Sequence, residues 1–400
     1  MDFDLSRVAP QLLEDPYPLY AILRETQPVA WVADLELFLV TRYADVRRVL
    51  SDPVFSADFR HGRSAMPNPP LSPQLEQLSL ELAKDMLRSD GEVHRRRRSI
   101  VARAFTPRVV RDLVPRVEKL VQELLDEAFG GGRFDLMGEF AHALPIYVIG
   151  ELLGLPPEDR RQIRAWSDDL IVYYDPLVPV ETRSAAFARC AEPLRDYFAE
   201  QFAERRRQPR EDLLSGMVRA ATEDRIGEDE ILAQCVLIML AGHETTSGLI
   251  GNAVLALDAQ PDARESLVRD PARLPAAVEE LLRFDSPVQM MQRQTVEATR
   301  IGDVEIPKAA VVIPVFAAAN RDPEVFTNPD RLCFDRRENP HLAFGHGEHF
   351  CAGAHLARLE ARLALAGLYF RGSELVVHRE SLVRKPSVFV RGLTRLEVSG

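Results

Sequence analysis

The chain has 400 residues, 46% of them hydrophobic and 28% charged, with a formal net charge of −11. This balance describes a globular protein and excludes a disordered, collagen-like or disulfide-stapled chain. The acidic excess argues against a general nucleic-acid binder. A single body of this size buries roughly three quarters of its unfolded surface, enough to enclose a large cofactor.

The opening MDFDLSRVAP is polar and carries no apolar signal core. A cytoplasmic protein with no membrane anchor is therefore expected. Residues 16–25 read as a first helix, 29–32 and 37–41 as two short strands about a turn at Asp34, and 43–51 as a helix. From 56 to 73 the chain is rich in Pro, Ser, Asn and Gly, which predicts a long irregular loop. From 92 to 246 the pattern is helical almost throughout. Arg205 to Arg210 read as a solvated basic helix end. Residues 229–257 predict one helix, apolar on nearly every face in its first half, as for a helix surrounded by others. A helix over 275–284 follows. Alternation over 300–315, around Gly302-Asp303 and Pro307-Lys308, predicts a small hairpin sheet, and 375–398 predicts further strands. The fold class is mainly α with a minor antiparallel β portion. One domain over 1–400 is expected, with β-rich parts about 28–42 and 299–316 and a helical core about 92–284.

Four cysteines, Cys190, Cys235, Cys333 and Cys351, form no CxxC pair and read as a reduced complement. The sharpest motif is Phe344-Gly345-His346-Gly347-Glu348-His349-Phe350-Cys351-Ala352-Gly353, followed by a helical segment. Its glycines let backbone approach something flat, and a cysteine near a helix N-terminus has its thiolate favoured by the amide dipoles. That suits a soft axial ligand to haem iron. The rival readings are a zinc site, from the clustered His346, His349, Cys351 and His355, and an inert buried cysteine.

A second motif, Ala241-Gly242-His243-Glu244-Thr245-Thr246, puts poor helix-interior residues in mid-helix. Hydroxyls bonding back to the preceding turn distort a helix, and a local opening would supply a polar groove. An acid beside an alcohol can relay protons through water. A plain polar helix face is the competing reading. Glu280 and Arg283 share one helix face. In Asp90-Gly91-Glu92-Val93-His94 and the four arginines after it, helical spacing puts His94 and Arg98 on one face, able to hold a carboxylate pair.

These segments, in this order, resemble the cytochrome P450 superfamily of haem-thiolate monooxygenases, and with Ala318-Ala319-Asn320-Arg321-Asp322-Pro323 they resemble its soluble bacterial branch. The resemblance spans nearly the whole chain. It implies the P450 fold, a triangular helical prism enclosing haem b, with the haem-thiolate loop at 344–353. Cys351 becomes the iron ligand, with Phe344, Gly345 and Gly353 shaping the loop and Phe344 beside the sulfur. His94, Arg98, Arg293 and His349 match the positions that hold the haem propionates. Glu244 and Thr245 match the acid–alcohol pair of oxygen activation, with Ala241 and Gly242 lining the groove. Glu280 and Arg283 match a buried structural network, completed by an arginine for which Arg331 is the best match. The segment before His94 departs from the family, which commonly has prolines there.

The resemblance also implies electrons from NAD(P)H through a ferredoxin reductase and ferredoxin, steered by Arg95, Arg96, Arg97, Arg103, Arg358 and Arg362. The expected pocket residues Leu237, Leu240, Ala241, Val288, Met290, Met291, Val388 and Phe389 are apolar and favour a hydrophobic organic substrate, free or carrier-bound. Monomer is the default state. Two alternatives stand at this point. One is the same fold in other oxidative chemistry, such as peroxide-driven oxidation, coupling or desaturation. The other is a non-catalytic haem- or zinc-binding protein.

Overall fold

The computed structural model describes residues 11–58, 69–102, 105–175, 178–224, 226–371 and 374–400. Most of the expected loop over 56–73 lies outside them; it ends where Ser72 caps helix Pro73–Leu82 by accepting the Leu75 N–H. By internal contacts the chain divides into two compact units. One takes Met1–Ala65, Arg116–His142 and Thr245–Gly400, the other Met66–Pro115 and Ala143–Glu244. The chain passes between them repeatedly, so neither is a contiguous stretch of sequence.

The first unit is built on sheets. Helix α1 (Tyr17–Thr26) leads into β1 (Val29–Val32) and β2 (Leu37–Val40), joined by a 3-10 turn at Ala33–Leu35, then helix α2 (Tyr43–Ser51) and β3 (Phe55–Ser56). The strands β5 (Arg293–Thr295) and β8 (Val311–Pro314) complete a five-stranded sheet in the order β1-β2-β8-β5-β3. The strand pairs are antiparallel, as expected of the minor β portion, except β2 and β8, which run parallel. No hairpin joins them; the long chain between them leaves the direction free. The hairpin expected over 300–315 forms only at its first turn, as β6 (Thr299–Ile301) with β7 (Val304–Ile306). Every residue of β8 is buried, which suits a central strand better than a hairpin arm. The first strand pair of the C-terminal region, β9 (Val376–Arg384) and β10 (Leu393–Ser399), adds β4 (Arg133–Asp135).

Two apolar clusters flank the five-stranded sheet. Tyr20, Leu23, Val32, Leu39 and Ile313 belong to one; Val40, Val46, Phe55, Val312 and Phe316 to the other. The alternation of Leu39 and Val40 between them is the period-two pleat.

The second unit is helical: α3 (Pro73–Leu82), α4 (Gly91–Ala102), α6 (Ala143–Leu153), α7 (Arg160–Tyr174), α8 (Val180–Arg207) and α9 (Leu213–Asp224). Helix α5 (Pro107–Phe129) precedes β4 in the chain. At the end of α8 the expected solvated basic run is only half realised. Arg206 and Arg207 are exposed, but Arg205 is fully buried, with Nε on Asp212 at 3.0 Å and Nη2 on the Gly154 carbonyl at 2.5 Å. A buried guanidinium needs such partners.

Helix α10 (Glu228–Ala259) has 32 residues, about 48 Å at 1.5 Å per residue. Gln234, which interrupts its apolar run, is buried and satisfied: its amide donates to the Lys84 carbonyl at 3.1 Å and its oxygen accepts the Met86 N–H at 3.0 Å. Further along, a Cβ at Gly248 would stand 3.0 Å from the Arg391 carbonyl oxygen. Glycine there lets the 391–392 backbone lie on the helix. The remaining helices are α11 (Pro261–Arg269), α12 (Leu274–Phe284), α13 (Phe316–Ala319) and α14 (Ala354–Tyr369). Among the described residues one stretch, Leu136–Leu153, is apolar and long enough to cross a membrane, and 72% of it is buried within the fold, as expected of a core element.

Candidate functional site

The glycine-rich segment closes on itself ahead of α14. The Cys351 N–H donates to the Phe344 carbonyl at 2.9 Å, and the Gly345 N–H to that of Leu342 at 2.9 Å. Gly347 has a φ of +75°, and a Cβ there would stand 2.8 Å from the Leu50 carbonyl oxygen at the end of α2. Backbone cannot retreat as a side chain can, so glycine alone fits. Cys351 is half-buried and stands two residues before Gly353, the N-cap of α14. Cys190 and Cys235 are fully buried, and burial pushes both thiols up, Cys190 to about 12. Cys333 is exposed and lies ahead of no helix. Of the four, Cys351 joins partial access to a helix N-terminus, the setting in which a thiolate is favoured.

The donor set discriminates between iron in haem and zinc. Structural zinc takes about four protein ligands. No group of three or more His, Cys, Asp or Glu side chains that could hold a metal ion occurs among the described residues. His346 instead accepts a hydrogen bond from Arg47 Nε at 3.2 Å. Haem asks the protein for as little as one axial sulfur. The Cys351 loop fits haem and does not fit zinc.

Helix α10 is buried over 231–239 and again over 246–257, yet Ala241 is exposed and Gly242, Glu244 and Thr245 are half-buried. The helix runs on through this point without a break. At Gly242 a Cβ would stand 2.5 Å from Ile149 Cδ1, so glycine lets the helix pack closely there. His243 faces elsewhere, buried with Nδ1 3.0 Å from Ser167 Oγ, a packing role that needs no metal.

On α12, Arg283 grips Glu280 with two bonds of 2.8 Å, Nε to Oε2 and Nη2 to Oε1. Nη1 donates to the carbonyls of Asn320 and Pro329 at 2.9 and 2.8 Å, and Nη2 donates also to that of Arg331 at 3.2 Å. The third arginine is Arg336, not Arg331: its Nε lies 3.0 Å from each Glu280 oxygen. Arg331 turns its carbonyl inward and leaves its side chain exposed. Asn339 and the Cys333 N–H also donate to Glu280, at 3.2 and 2.9 Å.

A family model described as Cytochrome P450 matches residues 272–369, which hold this network and the cysteine loop. The chain is 40% identical over 398 residues to the vitamin D(3) 25-hydroxylase of Pseudonocardia autotrophica, covering 96% of this chain and 94% of that protein. The chain belongs to the cytochrome P450 family. It is also 40% identical over 405 residues to the cytochrome P450 monooxygenase PikC of Streptomyces venezuelae, covering 99% of this chain and 93% of that one. Among solved structures it is similar to P450BioI in complex with hexadec-9Z-enoic acid ligated acyl carrier protein, with a TM-score of 0.89, 34% identity and coverage of 98% and 100%. The relatives are named as monooxygenases and hydroxylases, and this P450 is an enzyme of that class, for which the family implies haem.

The other expected P450 residues distribute as follows. In the helical unit, His94 is buried on α4 and Arg98, one turn on, is half-buried. Arg95 and Arg96 are exposed, but Arg96 and Arg97 both clamp Glu230, at 2.9 and 2.8 Å. In the sheet-based unit, Arg293 is buried in β5 and His349 is half-buried. Arg358 pairs with Glu279. Arg103 lies outside the described residues. Arg362 is exposed with no ion pair among the described residues. Three of the six arginines expected to steer a partner therefore already engage internal carboxylates, Arg96 and Arg97 sharing Glu230.

Of the pocket residues, Leu237 is buried and Leu240 half-buried on α10. Val288 and Met291 are half-buried beside one sheet cluster, whereas Met290 is a member of the other cluster, with Val388 and Phe389 packed against it. Met290 is thus core: its bridge to Val315 turns it toward that cluster, alternate to Met291. Arg336, Asn339 and Glu279 were missed by sequence reading; only the adjacent Arg336-Arg337 pair signalled a second candidate arginine.

Proposed function

We propose that this P450 binds haem b through Cys351 and hydroxylates or epoxidises a hydrophobic small organic molecule, an intermediate of secondary metabolism. The reading takes one functional domain over 1–400, monomeric and cytoplasmic, with electrons passed from NAD(P)H through a ferredoxin reductase and a ferredoxin. The observation that carries it is the Cys351 loop, the one cysteine setting that combines access, a helix N-terminus and a pinned backbone.

Haem held by a thiolate supplies oxygen activation, because the sulfur pushes electron density that favours O–O cleavage. The chain's own residues do the rest. Phe344 holds the Cys351 N–H, while Gly345 and Gly353 shape the loop on either side. His94, Arg98, Arg293 and His349 are the residues that would hold the haem propionates, as hydrogen-bond donors. Glu244 and Thr245, half-buried in an otherwise buried helix, move protons from water toward the reacting oxygen. Leu237, Leu240, Val288 and Met291 orient an apolar substrate. The vitamin D and acyl ligands in the relatives' names support an apolar ligand. Arg362, exposed on α14, supplies a cation for an acidic ferredoxin.

The test is the ferrous–carbon monoxide spectrum of the purified protein. A strongly red-shifted Soret band is expected, lost in Cys351→Ser. A histidine-type band in the wild type would end this reading. Thr245→Ala is expected to keep consuming NADH while coupled product falls roughly tenfold or more, the scale of a lost proton relay, with hydrogen peroxide rising in its place. Product and peroxide measured against NADH check it; unchanged coupling would remove Thr245 from the relay.

A further inference from the structure

Beside the Glu280 network lies a second cluster that no step above uses. Glu279 sends its carboxylate to α14 instead. Arg358 Nε and Nη2 grip its two oxygens at 2.6 and 2.8 Å. His341 Nε2 lies 3.1 Å from Oε2. The Ala343 N–H donates to His341 Nδ1 at 3.3 Å, so Nδ1 carries no proton and Nε2 is the donor to Glu279. Burial pushes the Glu279 carboxyl up, but the bonds from Arg358 and His341 outweigh it and hold the group at about 2. The cluster therefore sets one anion against the Arg358 cation, with His341 as a further donor.

Its position matters because of Phe344. The Arg358 guanidinium carbon stands 4.5 Å from the centroid of the Phe344 ring, and the His341 ring centroid lies 6.0 Å from it. The carbonyl of the same Phe344 accepts the Cys351 N–H. The balanced pair and the cysteine thus meet at one residue. A cation on an aromatic face is held by the ring's quadrupole and holds the ring in turn. Glu279 fixes the guanidinium by two parallel bonds, which set its plane as well as its place.

We propose that Glu279, Arg358 and His341 are positioning residues that lock the Phe344 ring and balance the charge felt by iron bound at Cys351, setting its reduction potential. The inference rests on the Cys351 reading. Arg358 favours the added electron and Glu279 opposes it. Breaking the pair from either side leaves one charge uncompensated, with opposite consequences. The side chains of Arg358 and Glu279 are 30% and 31% exposed, so solvent screens part of the effect and a modest shift is expected.

The experiment is a dye-mediated redox titration of the full-length, haem-loaded protein. Glu279→Gln is expected to raise the potential and Arg358→Gln to lower it. Each shift should equal at least a threefold change in the one-electron equilibrium, about 28 mV at 59 mV per decade. The double variant should return to within that window of the wild type. Arg358→Lys keeps the charge and should stay within the window, even if Arg358→Gln loses stability. Shifts of the same sign, no shift in either single variant, or a lysine shift as large as the glutamine one would overturn the proposal. The ferrous–carbon monoxide band separates the two readings. If it is of thiolate type throughout and the potentials do not move, the charge-balance proposal fails alone. If the wild type lacks it, the ligand assignment fails first.

Discussion

Glu280→Ala is expected to destabilise the fold by about 3–5 kcal/mol, the cost of leaving buried cations without their anion. The side chain of Arg283 is 0% exposed and that of Glu280 1%. Removing the carboxylate strands two guanidiniums, those of Arg283 and Arg336, together with the Asn339 amide and the Cys333 N–H. Against a typical domain stability of about 5–15 kcal/mol, such a loss leaves little folded protein. The urea midpoint and the haem content of the purified variant check it. Glu280→Gln keeps the shape and should fall between the two. Arg336→Ala should also destabilise, while Arg331→Ala should stay within about 0.5 kcal/mol of the wild type, as for surface positions generally. Equal losses in the two arginine variants would contradict the assignment of Arg336.

Glu360→Gln is expected to do the opposite and stabilise the protein at neutral pH. Glu360 sits on α14 at 2% exposure, and its Oε2 has no hydrogen-bond partner among the described residues. Burial pushes its carboxyl up from 4.5 to about 8. The folded chain therefore holds a proton that the unfolded chain releases above pH 4.5. Stability from this group is complete below that pH, falls as pH rises, and is lost once pH passes about 8. At pH 7 the proton linkage costs on the order of 3 kcal/mol. The glutamine side chain resembles the protonated acid and does not titrate. Urea melts of both proteins from pH 4.5 to 9 should start together and diverge upward. Parallel curves would mean that Glu360 is charged in the folded state and has found a partner there.

The two residues differ in how far sequence reading reaches them. Glu360 falls among Leu356, Leu359, Ala361 and Ala364 on α14, so helical periodicity alone sets an acid on a buried face. Glu280 and Arg283 are three apart on one helix, and their pairing follows from the pitch. Their third partner does not follow. Arg331 and Arg336 carry the same charge on the same irregular segment, where no period says which side chain turns inward. The start of α1 was legible from its prolines, whereas α3, which Ser72 caps, was not read as a helix. The strand β8 was legible as a strand but not as a parallel partner of β2, since pairing across so long a separation leaves no local mark.

By itself, the sequence determined the helical class, the long central helix, the cysteine loop and the acid–alcohol pair. These depend on the helical period, on glycine's backbone freedom and on side-chain chemistry, all of which act over a few residues. Tertiary structure alone decided that Arg336 completes the buried network, that Met290 is core, that Arg96 and Arg97 serve Glu230, and that Glu279 and Arg358 lie against Phe344. Those outcomes turn on which of several chemically equal groups reaches a distant partner, and that choice is made by packing, where burying a charge without its counterpart costs more than any local preference supplies.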